Sequence, residues 1–507
     1  MIIKKLNTSY MKTLKFPSAQ TILLIIAGLV TLLTWLVPAG KYQTLGYDKT
    51  ANQFTRVSLE ESVTLPATQE TLETLNIKIP LEKFTSGDIY KPINIPNTYQ
   101  QLEAKPQGFF DFVKSPVKGI IEASDIIFLV LIIGGLIGII NSTGAFDAGI
   151  GWLANALKGR EFILIILVTV LVAAGGTTFG FAEETIAFFP ILIPVFLAAK
   201  YDAMVGIACI FLGSSIGTMC STINPFSTII ASDSAGISWT TGLWIRLFML
   251  FACLTIALIY IIRYGKRVQK DPTKSIIYDQ QQQIAALFTQ NNSKTVTFTT
   301  RLRLSLIVFA LCFIIMIYGV VALEWWFVEM TSTFLVGSIL IGIIANIKEA
   351  DFIDTFVKGA GDLLGVALII GIARGVTVIM ADGLISDTLL HYASGMTQGM
   401  NKGVFASALT AIYAGLSFFI PSSSGMAVLT MPIMSPLADS VGIGREVVVN
   451  AYQFGMGLFY FINPTGLILA SLAVVKVGFN KWLKFVMPLF IMLIIFTLVV
   501  MTVTSYM

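Results

Sequence analysis

The chain has 507 residues, of which 55% are hydrophobic and only 12% charged, and its mean hydropathy is +0.82. A soluble core of this size does not use so much apolar surface, so the composition excludes a soluble globular protein and indicates a polytopic membrane protein. The formal net charge of +4 does not suggest nucleic-acid binding. No nucleotide motif, HExxH motif or convincing nucleophile and base pair points to an enzyme.

Seven long apolar runs are predicted to cross about 30 Å of hydrocarbon without a break. They are residues 22–37, 126–140, 243–262, 304–321, 334–347, 363–380 and 485–503. We expect the first run to be a signal anchor, because no small-x-small cleavage site follows it. The four cysteines lie in apolar segments without ligand spacing and are predicted to be buried thiols, not disulfides or metal ligands.

A mixed segment of roughly balanced charge, residues 39–124, separates the first run from the second. We expect it outside the membrane, since long segments are translocated without obeying the positive-inside rule. Two interpretations stay open: a small extracytoplasmic subdomain with some strand near 54–59, or an ordered loop.

Two distant stretches repeat one pattern: a break rich in Gly, Ser or Thr, a Pro-x-x-x-Pro pair, and an apolar helix interrupted at Ile-Asn-Pro. The first contains Gly175-Gly176-Thr177-Thr178, Pro190, Pro194 and Ile223-Asn224-Pro225, and the second contains Ser422-Ser423-Ser424-Gly425, Pro432, Pro436 and Ile462-Asn463-Pro464. Each copy predicts a re-entrant helical hairpin and then a broken crossing helix, because irregular backbone at membrane depth is tolerated only inside protein or beside a wet cavity. The alternative counts every hairpin arm as a full span.

The bounds of these predicted elements follow from the same pattern. The first hairpin covers 161–199 with its turn at 175–184, and its broken crossing covers 204–230 with the break at 213–225; the second hairpin covers 404–440 with its tip at 417–425, and its broken crossing covers 447–475. Basic residues place the N-terminus and the linker before the fourth uninterrupted run in the cytoplasm. Lys158, Arg160 and Lys200 keep both ends of the first hairpin there.

The resulting fold class is an all-α polytopic membrane protein with nine full crossings and two re-entrant hairpins, N-terminus in and C-terminus out, arranged as an inverted repeat. Its predicted parts are an N-terminal segment with the first crossing (1–38), an extracytoplasmic segment (39–124), a first transport repeat (125–264), a cytoplasmic linker (265–302) and a second repeat with its scaffold helices (303–507). Broken helices at matching positions of two halves point to a substrate site near the bilayer midplane of a secondary transporter.

The candidate substrate residues are polar side chains near the two tips and one intramembrane arginine. They are Thr177, Thr178, Glu183, Glu184, Arg374, Ser422, Ser423 and Ser424. A helix N-terminus can receive a carboxylate, and a guanidinium at membrane depth must be paired or face water. Two structural alternatives stay open: the glutamates cap a helix, and the arginine forms a structural ion pair with an acid such as Glu183 or Glu184.

Unwound carbonyls and hydroxyls near the two Asn-Pro steps are candidates for holding a coupling cation. The residues are Ser221, Thr222, Asn224, Asn463 and Thr465. The alternative is that small polar residues there serve close packing or kinks. His391, the only histidine, falls in a predicted outer linker and is a poor candidate for a proton relay. No cofactor and no metal are expected beyond a coupling sodium ion or proton.

Several of these motifs together resemble one known family. They are Thr34-Trp35-Leu36-Val37-Pro38-Ala39-Gly40, Ile372-Ala373-Arg374-Gly375, Pro421-Ser422-Ser423-Ser424-Gly425 and the two Asn-Pro steps. This order is similar to that of the YfcC-type basic amino-acid antiporters, which belong with the DcuC-like four-carbon-dicarboxylate carriers in the ion transporter superfamily. The resemblance implies inverted repeats, each with a re-entrant hairpin and a broken helix, in a homodimer with a fixed scaffold part and a moving transport part. The superfamily's Ser-Asn-Thr tip signature is absent, so sodium coupling does not carry over with it.

These observations predict a secondary active transporter of the bacterial inner membrane for small carboxylate-bearing solutes. A cavity with Arg374 and the Glu183 and Glu184 pair suits a basic amino acid, whose carboxylate and amino groups would meet opposite charges. The alternative substrate, a four-carbon dicarboxylate, would be repelled by two free carboxylates nearby. An ion channel is the alternative from a different class, although paired hairpins serve alternating access better than an open pore.

Overall fold

The structure is a computed structural model that describes residues 17–507 apart from 59–60, 88, 90, 146–147, 149–159, 289–298, 324 and 398. The predicted cytoplasmic N-terminal segment before residue 17, most of the linker's second half and Lys158 lie outside the described residues.

Helices make up most of the described chain. In the first half they are α1 (Ala19–Leu36), α2 (Gln69–Thr74), α3 (Glu82–Thr85), α4 (Phe109–Glu122), α5 (Ser124–Ser142), α6 (Phe162–Phe179), α7 (Phe189–Ala198), α8 (Ala203–Met219), α9 (Ile230–Ser234) and α10 (Leu243–Lys270). In the second half they are α11 (Gln281–Phe288), α12 (Thr300–Ala322), α13 (Phe327–Ile344), α14 (Glu349–Asp362), α15 (Leu364–Asp382), α16 (Ser386–Gly395), α17 (Lys402–Phe419), α18 (Ser423–Val441), α19 (Arg445–Tyr460), α20 (Ile468–Val475) and α21 (Phe479–Thr504).

Among the described residues, eight helices are long and apolar enough to cross a membrane, judged by length and composition. They are α1, α5, α10, the first part of α12, α13, α15, α17 and α21. All the uninterrupted crossings predicted from the sequence are among them, and α17 is the first arm of the second predicted hairpin. The protein is therefore a multi-pass membrane protein. The four cysteines are free and buried, as predicted.

The segment after α1 contains strands. They are β1 (Gly40–Lys41), β2 (Thr44–Asp48), β3 (Gln53–Val57), β4 (Ser62–Pro66), β5 (Ile93–Asn94) and β6 (Gln100–Gln101). Four strands form an antiparallel sheet in the order β4-β3-β2-β5, and β1 pairs with β6. Leu45, Phe54 and Ile93 are fully buried beneath this sheet. Of the two open interpretations, the structure has the small subdomain with strands.

The helices of the two halves recur in the same order and with matching lengths. α4, α5 and α6 have 14, 19 and 18 residues, and α14, α15 and α17 have 14, 19 and 18 residues. In each half a hairpin helix and the following interrupted helix then pack together, as α6 with α8 and α17 with α19. The α4 helix packs on α15 of the other half, and α14 packs on α5.

Glycines let these helix pairs approach closely. A Cβ atom at Gly217 of α8 would overlap the carbonyl oxygen of Ala173 in α6, and one at Gly176 would lie 2.7 Å from the carbonyl oxygen of Ser214. In the second half, a Cβ at Gly455 of α19 would overlap the backbone of α17 in the same way. Small residues that bring helix backbones together are the usual means of helix association in membranes, where no hydrophobic effect drives it.

The first predicted break is therefore placed too early. The helix α6 continues through Gly175 to Thr178 and ends at Phe179. Gly176 makes room for the backbone of α8, and Gly175 makes room for the ring of Phe181. The tip proper begins at Gly180, which has φ +78°, a left-handed conformation that favours glycine. The break after α8 likewise begins at Cys220 and not at residue 213.

The two second arms also differ, although both carry paired prolines. The first arm is a 3-10 helix, Glu183–Phe188, followed by the short α7, with Pro190 in its first turn. The second arm is one continuous helix, α18, which contains both Pro432 and Pro436. Proline is tolerated at a helix start, whereas inside a helix it removes a hydrogen bond. The same spacing of prolines therefore does not impose the same helical structure on the two arms.

Candidate functional site

The two tips and the two helix breaks meet around one cavity of about 460 Å³. The charged side chains that line it are Lys91, Glu122, Asp125, Glu183, Glu184 and Arg374. Of the predicted substrate residues, those that line it are Glu183, Glu184, Arg374, Ser422, Ser423 and Ser424. Of the predicted coupling-ion residues, those that line it are Asn224 and Thr465. Residues far apart in the sequence are thus brought to a single space.

The arginine of this cavity is paired, but with a different acid from the two considered. The Nε of Arg374, on α15, lies 3.1 Å from Oε2 of Glu122, at the end of α4. The two side chains are 40% and 48% exposed, and both line the cavity. Among the described residues, the two terminal nitrogens of the guanidinium have no hydrogen-bond partner, so its fork remains available to a carboxylate.

The second tip presents the start of α18 to the cavity. The hydroxyl of Ser422 caps this helix by accepting a hydrogen bond from the backbone N–H of Gly425 at 3.2 Å. Two tyrosines of α19, which also line the cavity, hold the tip: Tyr452 donates to the carbonyl of Ser423 at 2.8 Å, and Tyr460 donates to the carbonyl of Pro421 at 2.6 Å. The tip is therefore fixed with the start of α18 at the cavity, and a helix start favours an anion.

The first tip brings two carboxylates to the same cavity. Glu184 accepts a hydrogen bond from the backbone N–H of Ala182 at 3.1 Å, so the capping role considered for it is present. Glu183 lines the cavity beside it. The tip is tied to α8 by a hydrogen bond from the hydroxyl of Ser214 to the carbonyl of Phe181.

Thr177 and Thr178 do not line the cavity. Thr177 is buried and joins α6 to the first helix break: its hydroxyl donates to the carbonyl of Cys220 at 2.8 Å and accepts from the backbone N–H of Thr222 at 3.1 Å. The hydroxyl of Thr178 donates back to the carbonyl of Ala174 at 2.6 Å within its own helix. In this structure the hydroxyl groups of both threonines form hydrogen bonds with backbone groups.

The polar groups of the first break bond mainly to one another. The amide of Asn224 donates to the hydroxyl of Ser221 at 3.3 Å, and its oxygen accepts from the N–H of Phe226 at 2.8 Å. The carbonyl of Ser221 accepts from Thr228 at 2.9 Å. This network replaces the helical hydrogen bonds that the break removes. Polar groups at membrane depth need such partners, because leaving them unpaired costs several kcal/mol.

The second break is tied to its hairpin in a similar way. The amide nitrogen of Asn463 donates to the carbonyl of Ser417 at 3.0 Å, and its oxygen accepts from the hydroxyl of Thr465 at 2.7 Å. That hydroxyl also lies 2.8 Å from the carbonyl of Phe418. Asn463 and Thr465 thus join the second break to the end of α17, whereas the bonds of Asn224 stay within the first break.

Sequence reasoning missed Glu122, Lys91 and the two tyrosines. The sequence could have indicated Tyr452 and Tyr460, since they carry hydroxyl groups inside a predicted crossing. No feature of the sequence indicated Lys91, because it lies in the mixed segment far from the apolar runs. His391 is not among the residues that line the cavity, and its ring stacks on Tyr99, with ring centroids 4.1 Å apart.

The family described as "DcuC: C4-dicarboxylate anaerobic carrier" matches residues 16–506. The chain belongs to this carrier family. A relative from Haemophilus influenzae, an uncharacterized protein, is 46% identical over 481 residues and 94% of each chain. A second relative, from Escherichia coli K12, bears the name "Putative basic amino acid antiporter YfcC" and is 30% identical over 488 residues and 92% of each chain.

Two solved transporters have similar structures. The YdaH transporter of Alcanivorax borkumensis aligns over 96% of this chain and 98% of its own, with 13% identity and a TM-score of 0.39. MtrF of Neisseria gonorrhoeae, from a class of antimetabolite efflux pumps, aligns over 96% and 95%, with 14% identity and a TM-score of 0.39. The family membership, not this weak likeness, makes the protein a DcuC-family membrane transporter, and nothing in these comparisons points to an enzyme.

Proposed function

We propose that the protein is a secondary active transporter of the bacterial inner membrane that exchanges basic amino acids. The observation that carries this proposal is the charge of the cavity, in which two cationic side chains face four carboxylates. A basic amino acid brings one carboxylate and two cationic groups, so it complements such an excess of negative charge. Electrostatic complementarity of this kind decides between solutes of similar size.

The proposed binding mode uses the groups of the cavity that remain able to bind a substrate, above all the terminal nitrogens of Arg374. The substrate carboxylate binds the free fork of Arg374 and the N–H groups at Ser423 and Ser424. Its amino groups lie toward Glu183 and Glu184 at the other tip. A bidentate contact between guanidinium and carboxylate fixes orientation as well as affinity.

Alternating access through an inverted repeat supports the same function. The matching helix lengths of the two halves, and the packing of α4 on α15 and of α14 on α5, are what two such repeats would produce. We propose that both hairpins are re-entrant, because both tips line the cavity, while the length and apolarity of α17 favour the alternative in which that arm spans the membrane. We retain N-terminus in, C-terminus out and the homodimer as predictions of the same scheme.

Coupling is proposed at the two helix breaks, with a sodium ion or a proton as the coupling ion and Ser221, Thr222 and Thr465 as supporting groups. Asn224→Ala and Asn463→Ala should each lower the initial uptake rate by about tenfold, because each removes hydrogen bonds that shape a break. Uptake into proteoliposomes measures this, with the amount of inserted protein as the control. Wild-type uptake in both variants would remove the breaks from the mechanism.

The test of the function is counterflow in proteoliposomes preloaded with arginine, ornithine or succinate, with and without a sodium gradient. Saturable exchange of a basic amino acid is expected. Dependence of the rate on the sodium gradient would identify sodium as the coupling ion, and independence would favour the proton. Flux that neither saturates nor shows counter-transport would favour a channel.

A four-carbon dicarboxylate is the second candidate substrate. The family description favours it, and so does the presence of Lys91 with Arg374 in one cavity. Exchange of succinate alone would select this candidate and would make the glutamates of the first tip structural.

A further inference from the structure

We propose that the extracytoplasmic subdomain, residues 40–101, contributes a residue to the substrate site: Lys91, whose ammonium group binds the substrate carboxylate together with Arg374 and the second tip. The inference rests on the proposed function only in requiring that the transported solute bears a carboxylate. It makes the subdomain a determinant of substrate affinity and not merely a covering layer.

The subdomain holds Lys91 in a defined place. Lys91 lies two residues before the start of β5, and β5 pairs with β2 through Leu45 opposite Ile93. Ile89 and Ile93, on either side of the lysine, are buried at 2% and 0% exposure. Buried apolar residues on both sides anchor the short segment, so the lysine side chain is the part that leaves the subdomain.

Contacts outside the cavity dock the subdomain over the elements that form the site. Lys78 pairs with Asp439 near the end of α18 at 3.0 Å, and Lys83 pairs with Asp233 in α9 at 3.0 Å. The side-chain amide of Asn94 donates to the carbonyl of Leu429, in the middle of α18, at 3.3 Å. The subdomain is thus joined both to the second hairpin and to the chain beyond the first break.

Lys91 reaches into the cavity at the second tip. Its Nζ donates a hydrogen bond to the hydroxyl of Ser424 at 2.8 Å, and the residue lines the cavity. Burial, and then the nearby charge of Arg374, lower the pKa of Lys91 from its usual value. Two cations and the positive start of α18 therefore meet at one end of the cavity.

Glu122 engages only the Nε of Arg374, so the terminal nitrogens of the guanidinium and the ammonium group of Lys91 lie in the same cavity. A substrate carboxylate bound between them would gain charge-assisted hydrogen bonds from both groups. The carboxylates of Glu183 and Glu184 at the first tip then supply the negative charge that the amino groups of the substrate would bind. The carboxylate end of the substrate is consequently assigned to the second tip.

The test compares Lys91→Gln with Lys91→Arg and with Lys78→Gln in full-length protein reconstituted into proteoliposomes. The last variant is the matched control, since Lys78 docks the same subdomain but does not line the cavity. Counterflow is measured with whichever of arginine, ornithine or succinate the wild type exchanges. Lys91→Gln should raise KM about tenfold or more while changing the maximal rate little, because a charge-assisted contact to the substrate is lost.

Rescue distinguishes a contact with substrate from a structural role. Lys91→Arg should keep KM within about threefold of wild type because it retains the charge, and Lys78→Gln should resemble wild type. Argininamide, which lacks the carboxylate, should compete equally weakly with wild type and with Lys91→Gln if arginine is the substrate.

Several outcomes would overturn the inference. One is an unchanged KM in Lys91→Gln, and another is the same loss of maximal rate in Lys91→Gln and Lys91→Arg without a change in KM. Exchange of succinate but not of arginine or ornithine would refute the amino-acid proposal alone, and the KM ratio for succinate would still decide the role of Lys91. Absence of exchange of all three solutes by the wild type would count against both.

Discussion

Replacing Arg374 by alanine should lower counterflow to roughly a tenth of the wild-type rate at a substrate concentration about ten times the wild-type KM. The fork of this arginine is the group best placed to bind a carboxylate, since only its Nε pairs with Glu122, at 3.1 Å. Losing two charge-assisted hydrogen bonds costs about 3 kcal/mol, which corresponds to roughly a 100-fold loss of affinity. Arg374→Lys should recover part of the activity, because it restores the charge but not the planar fork.

The matched control for Arg374 is Glu122→Gln. This substitution removes the negative partner and leaves the guanidinium in place, so KM should change by no more than about threefold if the fork binds substrate. A loss as deep as that of Arg374→Ala would instead identify the ion pair itself as the functional unit. Both variants are compared by counterflow after equal amounts of inserted protein have been verified.

Replacing Gly217 by alanine should prevent stable assembly of the first hairpin with α8. The added Cβ would overlap the carbonyl oxygen of Ala173 and lie 3.0 Å from its Cα, and both atoms belong to helix backbone that cannot rotate away. Overpacking of this kind costs about 3 kcal/mol or more when no side chain can move. We expect little folded protein after detergent extraction and a clear fall in the midpoint of thermal unfolding.

Gly415→Ala is the matched control for Gly217→Ala. Gly415 also lies inside a helix of a hairpin, α17, but a Cβ there would meet no atom within 4 Å. Because alanine favours helix by about 1 kcal/mol over glycine, this variant should be as stable as the wild type or slightly more so. Equal unfolding midpoints for the two variants would contradict the close-packing role assigned to Gly217.

Local features of the sequence determined much of the architecture. The uninterrupted crossings follow from the length and apolarity of their runs, which depend on the solvation of each segment in lipid and not on its neighbours. The recurring proline and Asn-Pro steps predicted the two helix-turn-helix pairs and the two interrupted helices. Proline alone did not fix where a helix ends, since α18 continues through both Pro432 and Pro436. Glu183, Glu184 and Arg374 were predicted as site residues because an ionisable group in an apolar run is costly unless it is paired or faces water, and all three line the cavity.

Tertiary structure alone decided which groups meet. Gly175 and Gly176 are residues typical of a helix break, yet they lie inside α6. Whether a glycine unwinds a helix or makes room for a neighbouring group depends on what packs against it. Arg374 pairs with Glu122 and not with Glu183 or Glu184, a choice set by the packing of α4 on α15. Lys91 reaches the cavity from a segment with no membrane signal at all, since a sheet holds it there. Helix boundaries and polar candidates are local properties of the chain, whereas the pairing of charges and the shape of the site arise only from contacts between distant residues.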